Sequence, residues 1–245
     1  MFDPSAVIRH ISHTRHVRRI RQWFARKAQL VAPTDVMRAV SAWAGDRSLS
    51  YDGPTPARRY RVGGYFSGYS WTIERRVGSR PFISGDELSG RVVLDLPVSP
   101  VVIVISRALK ESLEKQAYEI YTDSVQTLAE PSLSEEMRWI ALYPEWRQAS
   151  NSQNFQQRFS VLAAENSDAE KWITSELAER VMTCAAARFD CPFILMLLRG
   201  KVYLQLELDT TFDEVAALAQ SVDILSFASE AARRQFAKPT TLPSA

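Results

Sequence analysis

The sequence predicts an α+β fold: antiparallel sheet elements with packed helices and a C-terminal β-α-β-β-α unit, preceded by a basic amphipathic N-terminal helix. Three observations predict it. Two apolar runs meet at Arg199-Gly200, which reads as a tight hairpin and therefore as antiparallel sheet. Stretches of helical periodicity with capping residues flank that hairpin on both sides. Aromatic and β-branched residues surround glycines from Tyr60 to Val77, as in a β-hairpin or two short strands. With 245 residues, 46% of them apolar and 24% charged, the chain has room for one large domain or two small ones and the composition of a folded protein.

The elements follow in order. From Ser5 to Ala28, Ile8, Ile11, Val17, Ile20, Trp23 or Phe24, and Ala28 recur mostly at three- or four-residue spacing, a helical stripe that falters at Arg15. Pro33 ends it. Thr34 with Asp35 then caps a second helix to about Ala44, and residues 45–58, with Asp52-Gly53, Pro54 and Pro56, read as a connector. After the 60–77 hairpin, Arg91–Leu96 and Val101–Ser106 read as strands separated by Pro97 and Pro100. The run Val101–Ile105 is apolar on both faces and is expected at the centre of its sheet. A helix follows with Leu109, Leu113, Ala117 and Ile120 on one face. Ser132-Leu-Ser-Glu135 reads as a capping box for another, which runs through Met137, Ile140 and Ala141 to Pro144.

Residues 147–157 are polar enough to be a linker or long loop, which suggests four parts: an arm (1–31), an N-terminal α+β subdomain (32–146), a C-terminal β-α-β-β-α subdomain (158–236) and a frayed tail (237–245). In the C-terminal part Phe159–Ala163 is a strand, and Ser167-Asp-Ala-Glu170 opens a helix with Ile173, Leu177, Val181 and Cys184 in line. Pro192–Leu198 and Lys201–Leu208 form the hairpin. Thr211-Phe-Asp-Glu214 then caps a helix bearing Val215, Leu218, Val222, Leu225 and Ser229. The pattern Arg158-Phe-Ser-Val-Leu, a helix, then Phe193-Ile-Leu-Met-Leu-Leu-Arg-Gly-Lys-Val-Tyr-Leu204 resembles the C-terminal part of conserved bacterial proteins of unknown function. The resemblance covers about a third of the chain, implies a bacterial origin and this fold, and brings no activity with it.

Charge is distributed unevenly. The first 30 residues hold seven Arg or Lys against Asp3, a net +6, whereas the whole chain carries +2. Extended to Arg80, the basic part reaches +10 and leaves −8 for the rest, so the two parts should attract each other or different partners. The longest apolar run, Phe193–Leu198, falls far short of the ~20 residues a membrane-spanning helix needs. The arm interrupts its apolar residues with Arg and His, so a secretion signal is not expected. Cys184 and Cys191 are too few for a disulfide framework and lack metal-site spacing. The expected compartment is the cytoplasm, with peripheral attachment to the inner membrane surface as the variant.

Catalytic patterns are sparse. His10, His13 and His16 lie at i, i+3 and i+6 in the arm; on a helix they do not share one face, and no downstream ligand completes a zinc shell. There is no Gly-x-Ser-x-Gly elbow. Ser112-Leu-Glu-Lys115 matches Ser-x-x-Lys without its companion motifs, and Gly63-Gly-Tyr-Phe-Ser-Gly68 lacks the residues of a phosphate loop. The carboxylate pairs Asp86-Glu87, Glu135-Glu136 and Glu207 with Asp209 have no evident acid, base or metal partner. No cofactor or metal is expected, and the balance falls against an enzyme.

The leading expectation is a non-enzymatic interaction or scaffold protein. Its arm, through Arg9, Arg15, Arg18, Arg19, Arg21, Arg26 and Lys27 with Trp23 and Phe24 on the apolar side, would dock on an acidic protein partner or an anionic lipid surface. The alternative is a nucleic-acid-binding protein using the arm together with the hairpin 58–80. There Tyr60, Tyr65, Phe66, Tyr69 and Trp71 interleave with Arg58, Arg59, Arg61, Arg75, Arg76 and Arg80. An enzyme with an unrecognised site is the third class, and a packed arm whose arginines answer the body's acids is the plain structural reading.

Overall fold

Two tight turns set the antiparallel register. In a computed structural model of the chain, Ser67 and Gly68 adopt φ of 46° and 87°, and Arg199 and Gly200 adopt 52° and 68°. Positive φ at both central residues matches the twist that a two-residue hairpin needs. The structure describes residues 35–56, 58–127, 133–147, 153–184, 187, 191–208 and 213–237, with side chains left undescribed at 123–127. In chain order the elements are α1 (Asp35–Gly45), β1 (Ser50–Asp52), β2 (Tyr60–Phe66), β3 (Tyr69–Val77), β4 (Asp86–Val93), β5 (Val102–Ser106), α2 (Arg107–Thr127), α3 (Glu135–Leu142), β6 (Glu145–Trp146), α4 (Gln153–Arg158), β7 (Phe159–Ala163), α5 (Asn166–Trp172), α6 (Ser175–Thr183), β8 (Phe193–Leu198), β9 (Lys201–Leu208) and α7 (Glu214–Phe236). The arm, its three histidines and the tail beyond Ala237 lie outside the described residues.

The strands form one sheet in the order β1-β2-β3-β4-β9-β8-β5-β7-β6, with every neighbouring pair antiparallel. The α+β class is therefore what the molecule adopts, and the all-apolar β5 is central, between β8 and β7. Strands from both sides of 147–157 share this sheet. β4 from the first half pairs with β9 from the second, and β5 separates β8 from β7, so the described residues between 35 and 237 make one compact unit. The β-α-β-β-α order is present in the chain, but its strands close only around the inserted β5. Alternation in β5 shows why: Val102 and Val104 enter the core on one face while Ile103 and Ile105 enter it on the other, so the strand must be covered on both sides.

One face is roofed by α1, α5, α6 and α7, whose Val40, Trp172, Leu177, Leu218 and Leu225 meet Val62, Ile73, Leu88, Leu204 and Phe193 of the sheet. Each such fully buried aliphatic side chain contributes ~2 kcal/mol. Gly90 allows α7 its close approach, since a Cβ there would stand 2.4 Å from Leu225 Cδ1. On the second face α2 and α3 cover β8, β5 and β7 through Leu109, Leu113, Met137 and Trp139 packed on Ile103, Ile105, Leu162, Ile194 and Met196. Over β1 to β4 and β9 that same face is polar, carrying Arg61, Thr72, Glu74, Ser89 and Arg91.

Local expectations shift in five places. β1 lies inside the connector expected at 45–58, and α4 begins inside the linker or loop expected at 147–157. The single helix expected across 167–184 is two, because Ile173 leaves helical geometry (ψ 75°) and Thr174 caps α6 by accepting from Leu177 N at 3.2 Å. The working N-caps are Ser134 and Asp213, inside the expected boxes, accepting from Met137 N and Ala216 N; Ser167 lies within α5 and does not cap it. The strand expected at 91–96 spans Asp86–Val93 instead, in register with β3 and β9.

Candidate functional site

The expected partner-binding residues, Arg9, Arg15, Arg18, Arg19, Arg21, Trp23, Phe24, Arg26 and Lys27, fall outside the described residues, so the described chemistry begins with the hairpin. Alternation sends Tyr60, Phe66, Tyr69 and Trp71 toward the helices and leaves Tyr65 outside. Tyr60 and Trp71 are buried, Phe66 stacks on Trp71 with centroids 4.9 Å apart, and Tyr65 is 77% exposed. The rings are thus chiefly core.

The six arginines of the hairpin all have acid partners. Arg58 lies 3.8 Å from Asp52 and 4.0 Å from Glu74, and Arg61 donates through Nε to Glu74 at 2.6 Å. Arg59 reaches Asp86 at 3.5 Å. Arg75 lies between Asp86, at 2.8 Å, and Glu214 at the start of α7. Arg76 meets Glu87 at 3.2 Å and Arg80 meets Glu136 at 3.0 Å. Four of these acids come from beyond Arg80, so the hairpin arginines 59–80 are answered from the acidic part of the sequence. Burial works against the charge on Arg75, but the carboxylates of Glu214 and Asp86 outweigh it and raise its pKa further. Burial first, and Glu214 second, push the Tyr60 phenol far above its ordinary range, so it does not ionise at physiological pH.

The carboxylate pairs resolve differently from their order in sequence. Asp86 and Glu87 point to opposite faces, and Glu87 stands directly across from Glu207 in the β4–β9 register. Two like charges in that position repel. They are offset by the connection from Gly78 to Gly85: Ser79 donates to Glu87 through N (3.3 Å) and Oγ (3.2 Å), while Ser84 N and Gly85 N both donate to Glu207 at 3.1 Å. With Arg76 on Glu87, the pair anchors a loop rather than presenting an acid and a base. Glu136 is buried against Arg80, Glu135 is half-exposed, and Asp209 lies outside the described residues. Ser112 and Lys115 stand exposed on α2, and Gly63 to Gly68 form strand and turn. Among the described residues no group of three or more metal-ligating side chains occurs, and no helix is long and apolar enough to cross a membrane. Cys184 is buried and Cys191 half-buried.

Sequence reasoning missed the cations at the other end of the polar half-face. Arg91 is exposed and sits directly across from Tyr203. Lys201 faces Val93, and Arg199 is exposed in the β8–β9 turn. The signal was the alternation: Gly90 and Val92 belong to the core, which turns Arg91 outward.

No protein-family model and no curated protein matches the chain. Among solved structures it is similar to the crystal structure of the mycobacterial trehalose monomycolate transport factor A, TtfA, with 11% sequence identity and a TM-score of 0.47 over 84% of this chain and 98% of that one.

Proposed function

We propose that this chain is a non-enzymatic docking protein whose basic segment 1–31 engages an acidic protein surface or the anionic surface of a membrane. One observation carries the reading: within its own first thirty residues the chain sets seven basic side chains against a single acid, so that charge has to be answered from outside the segment. The hairpin arginines support it by contrast, because each already has a carboxylate partner in the fold. Trp23 and Phe24 are residues of the apolar aromatic type that interfacial segments use, and each cation near an anionic bilayer contributes ~1 kcal/mol.

The test uses the full chain with Arg15, Arg18, Arg19 and Arg21 changed to Gln. Cosedimentation with vesicles of phosphatidylcholine and phosphatidylglycerol is expected to fall at least ~10-fold against the unaltered chain, and binding of the unaltered chain is expected to weaken steeply as salt rises. If vesicles fail to bind but the substitutions remove a salt-sensitive complex with an acidic protein, the partner is protein. Equal binding by both chains, in both assays, sinks the proposal.

A further inference from the structure

The polar half of the second sheet face carries cations that the fold does not spend. Across β2, β3, β4 and β9 the register places Gly63, Thr72, Arg91 and Tyr203 in one row. Tyr65 stands two residues along from Gly63 on the same face and is 77% exposed; Lys201 and Val93 sit two residues along from Tyr203 and Arg91. Arg91, Lys201 and Arg199 have no acid partner among the described residues, unlike the six arginines at the opposite end. The acids of this face are engaged elsewhere: Glu74 by Arg61 and Arg58, Glu87 by Arg76 and Ser79, and Glu207 by the amides of Ser84 and Gly85. Asp95, two residues past Val93, is exposed and subtracts one charge. Local excess positive charge therefore remains where two tyrosines and small polar residues make a floor.

The surroundings discriminate among anionic partners. Tyr203 is packed at the margin of the cluster that α2 and α3 form over β8, β5 and β7. A helix is about 10 Å across, so this layer makes a wall beside the row of Arg91 and Tyr203. A flat bilayer would meet the wall before the floor. A single narrow strand can lie along the floor, and Tyr65 and Tyr203, on strands three spacings or about 14 Å apart, offer it two ring faces.

We propose that this half-face binds single-stranded nucleic acid, with phosphates on Arg91, Arg199 and Lys201 and bases against Tyr65 and Tyr203. Recognition of this kind is sequence-tolerant, since stacking and phosphate contact read no base edge.

The test is fluorescence anisotropy of fluorescein-labelled oligo(dT) and oligo(U) of about fifteen nucleotides with the full chain at low salt, a length within the site sizes such surfaces occupy. The double variant Arg91→Glu/Lys201→Glu is expected to bind at least ~10-fold more weakly and to lower the salt slope by about 1.4, at roughly 0.7 per lost contact. Tyr65→Ala, at an exposed position, is expected to cost about fivefold or more. Lys171→Glu, exposed on α5 beyond the opposite face, should leave binding unchanged, and circular dichroism of each variant establishes that it is folded. The proposal is overturned if the unaltered chain binds neither oligonucleotide, or if the folded double variant binds as well as the unaltered chain. It is also overturned if only the four arm substitutions remove binding, or if the face variants weaken capture by anionic vesicles while oligonucleotides stay unbound. The docking proposal stands or falls separately, on the arm substitutions and the vesicles.

Discussion

Glu145 shows how single residues here are read through their neighbours. It accepts from Arg107 at 3.0 Å and has Lys110 and Arg147 each at 3.6 Å. Burial alone would raise its pKa, but the hydrogen bond and charge of Arg107, then Lys110 and Arg147, lower it below the ordinary carboxylate value. A depressed folded pKa gives stability that is present above the unfolded value, near 4.3, and is lost as pH falls through the folded one. Arg107→Gln is therefore expected to lower the urea midpoint at pH 7 and to flatten its fall between pH 5 and pH 2. Parallel pH profiles for the two proteins would contradict this. Arg107 also donates to the carbonyls of Gln156 and Phe159, at 2.9 and 3.3 Å, so a neutral donor at that position isolates the charge effect better than an apolar one. None of this was legible in sequence: Arg107 and Glu145 are separated by 38 residues, and the pairing of β5 with β7 and of β7 with β6 brings them together.

At the scale of elements, periodicity succeeded where a helix presents one stripe to one layer. The stripe of Val215, Leu218, Val222, Leu225 and Ser229 is the inner side of α7, with Leu218, Leu225 and Ser229 buried. It failed at α5 and α6, where Ile173, Leu177, Val181 and Cys184 fit one helical line although the chain breaks there. The break lets adjacent Trp172 and Ile173 both enter the core, at 0% and 1% exposure, and aims Trp172 Nε1 at Ala228 O, 2.9 Å away. Thr174→Ala removes the α6 cap and is expected to destabilise the protein by ~1 kcal/mol in urea denaturation, with the sheet unaffected. A change below ~0.3 kcal/mol would mean that packing, not the cap, starts this helix. Capping residues were legible as boxes, but the cap itself moved within two of them to Ser134 and Asp213, because propensity marks a neighbourhood and the hydrogen bond selects the residue.

For the molecule as a whole, the interleaved strand order has a thermodynamic consequence. Because β9 lies on β4 and β5 lies between β8 and β7, neither half of the chain can lose its sheet without exposing the core of the other. Urea unfolding of residues 33–245 within the full chain is expected as one cooperative transition. Tryptophan fluorescence, with Trp71 in one half and Trp172 in the other, should coincide with far-ultraviolet circular dichroism. Two separated transitions would restore the division at 147–157. The same interleaving pairs the hairpin charges: Asp86, Glu87, Glu136 and Glu214 reach back to the arginines of 59–80.

What the sequence determined by itself was the local content: the α+β class, both hairpins, the apolar central strand and most helices. These follow from backbone sterics at turns and from the two periods with which side chains meet a layer. Tertiary structure alone decided which strands are neighbours, and with that the partner of every buried charge and the face left open to solvent. Strand pairing is a long-range choice, made by which apolar faces cover one another, and no residue's own neighbourhood encodes it. Arg75 in its acid clasp and Arg91 on the open floor are alike in sequence, each in a β-strand. Register sends the first toward Asp86 and Glu214 and the second toward solvent.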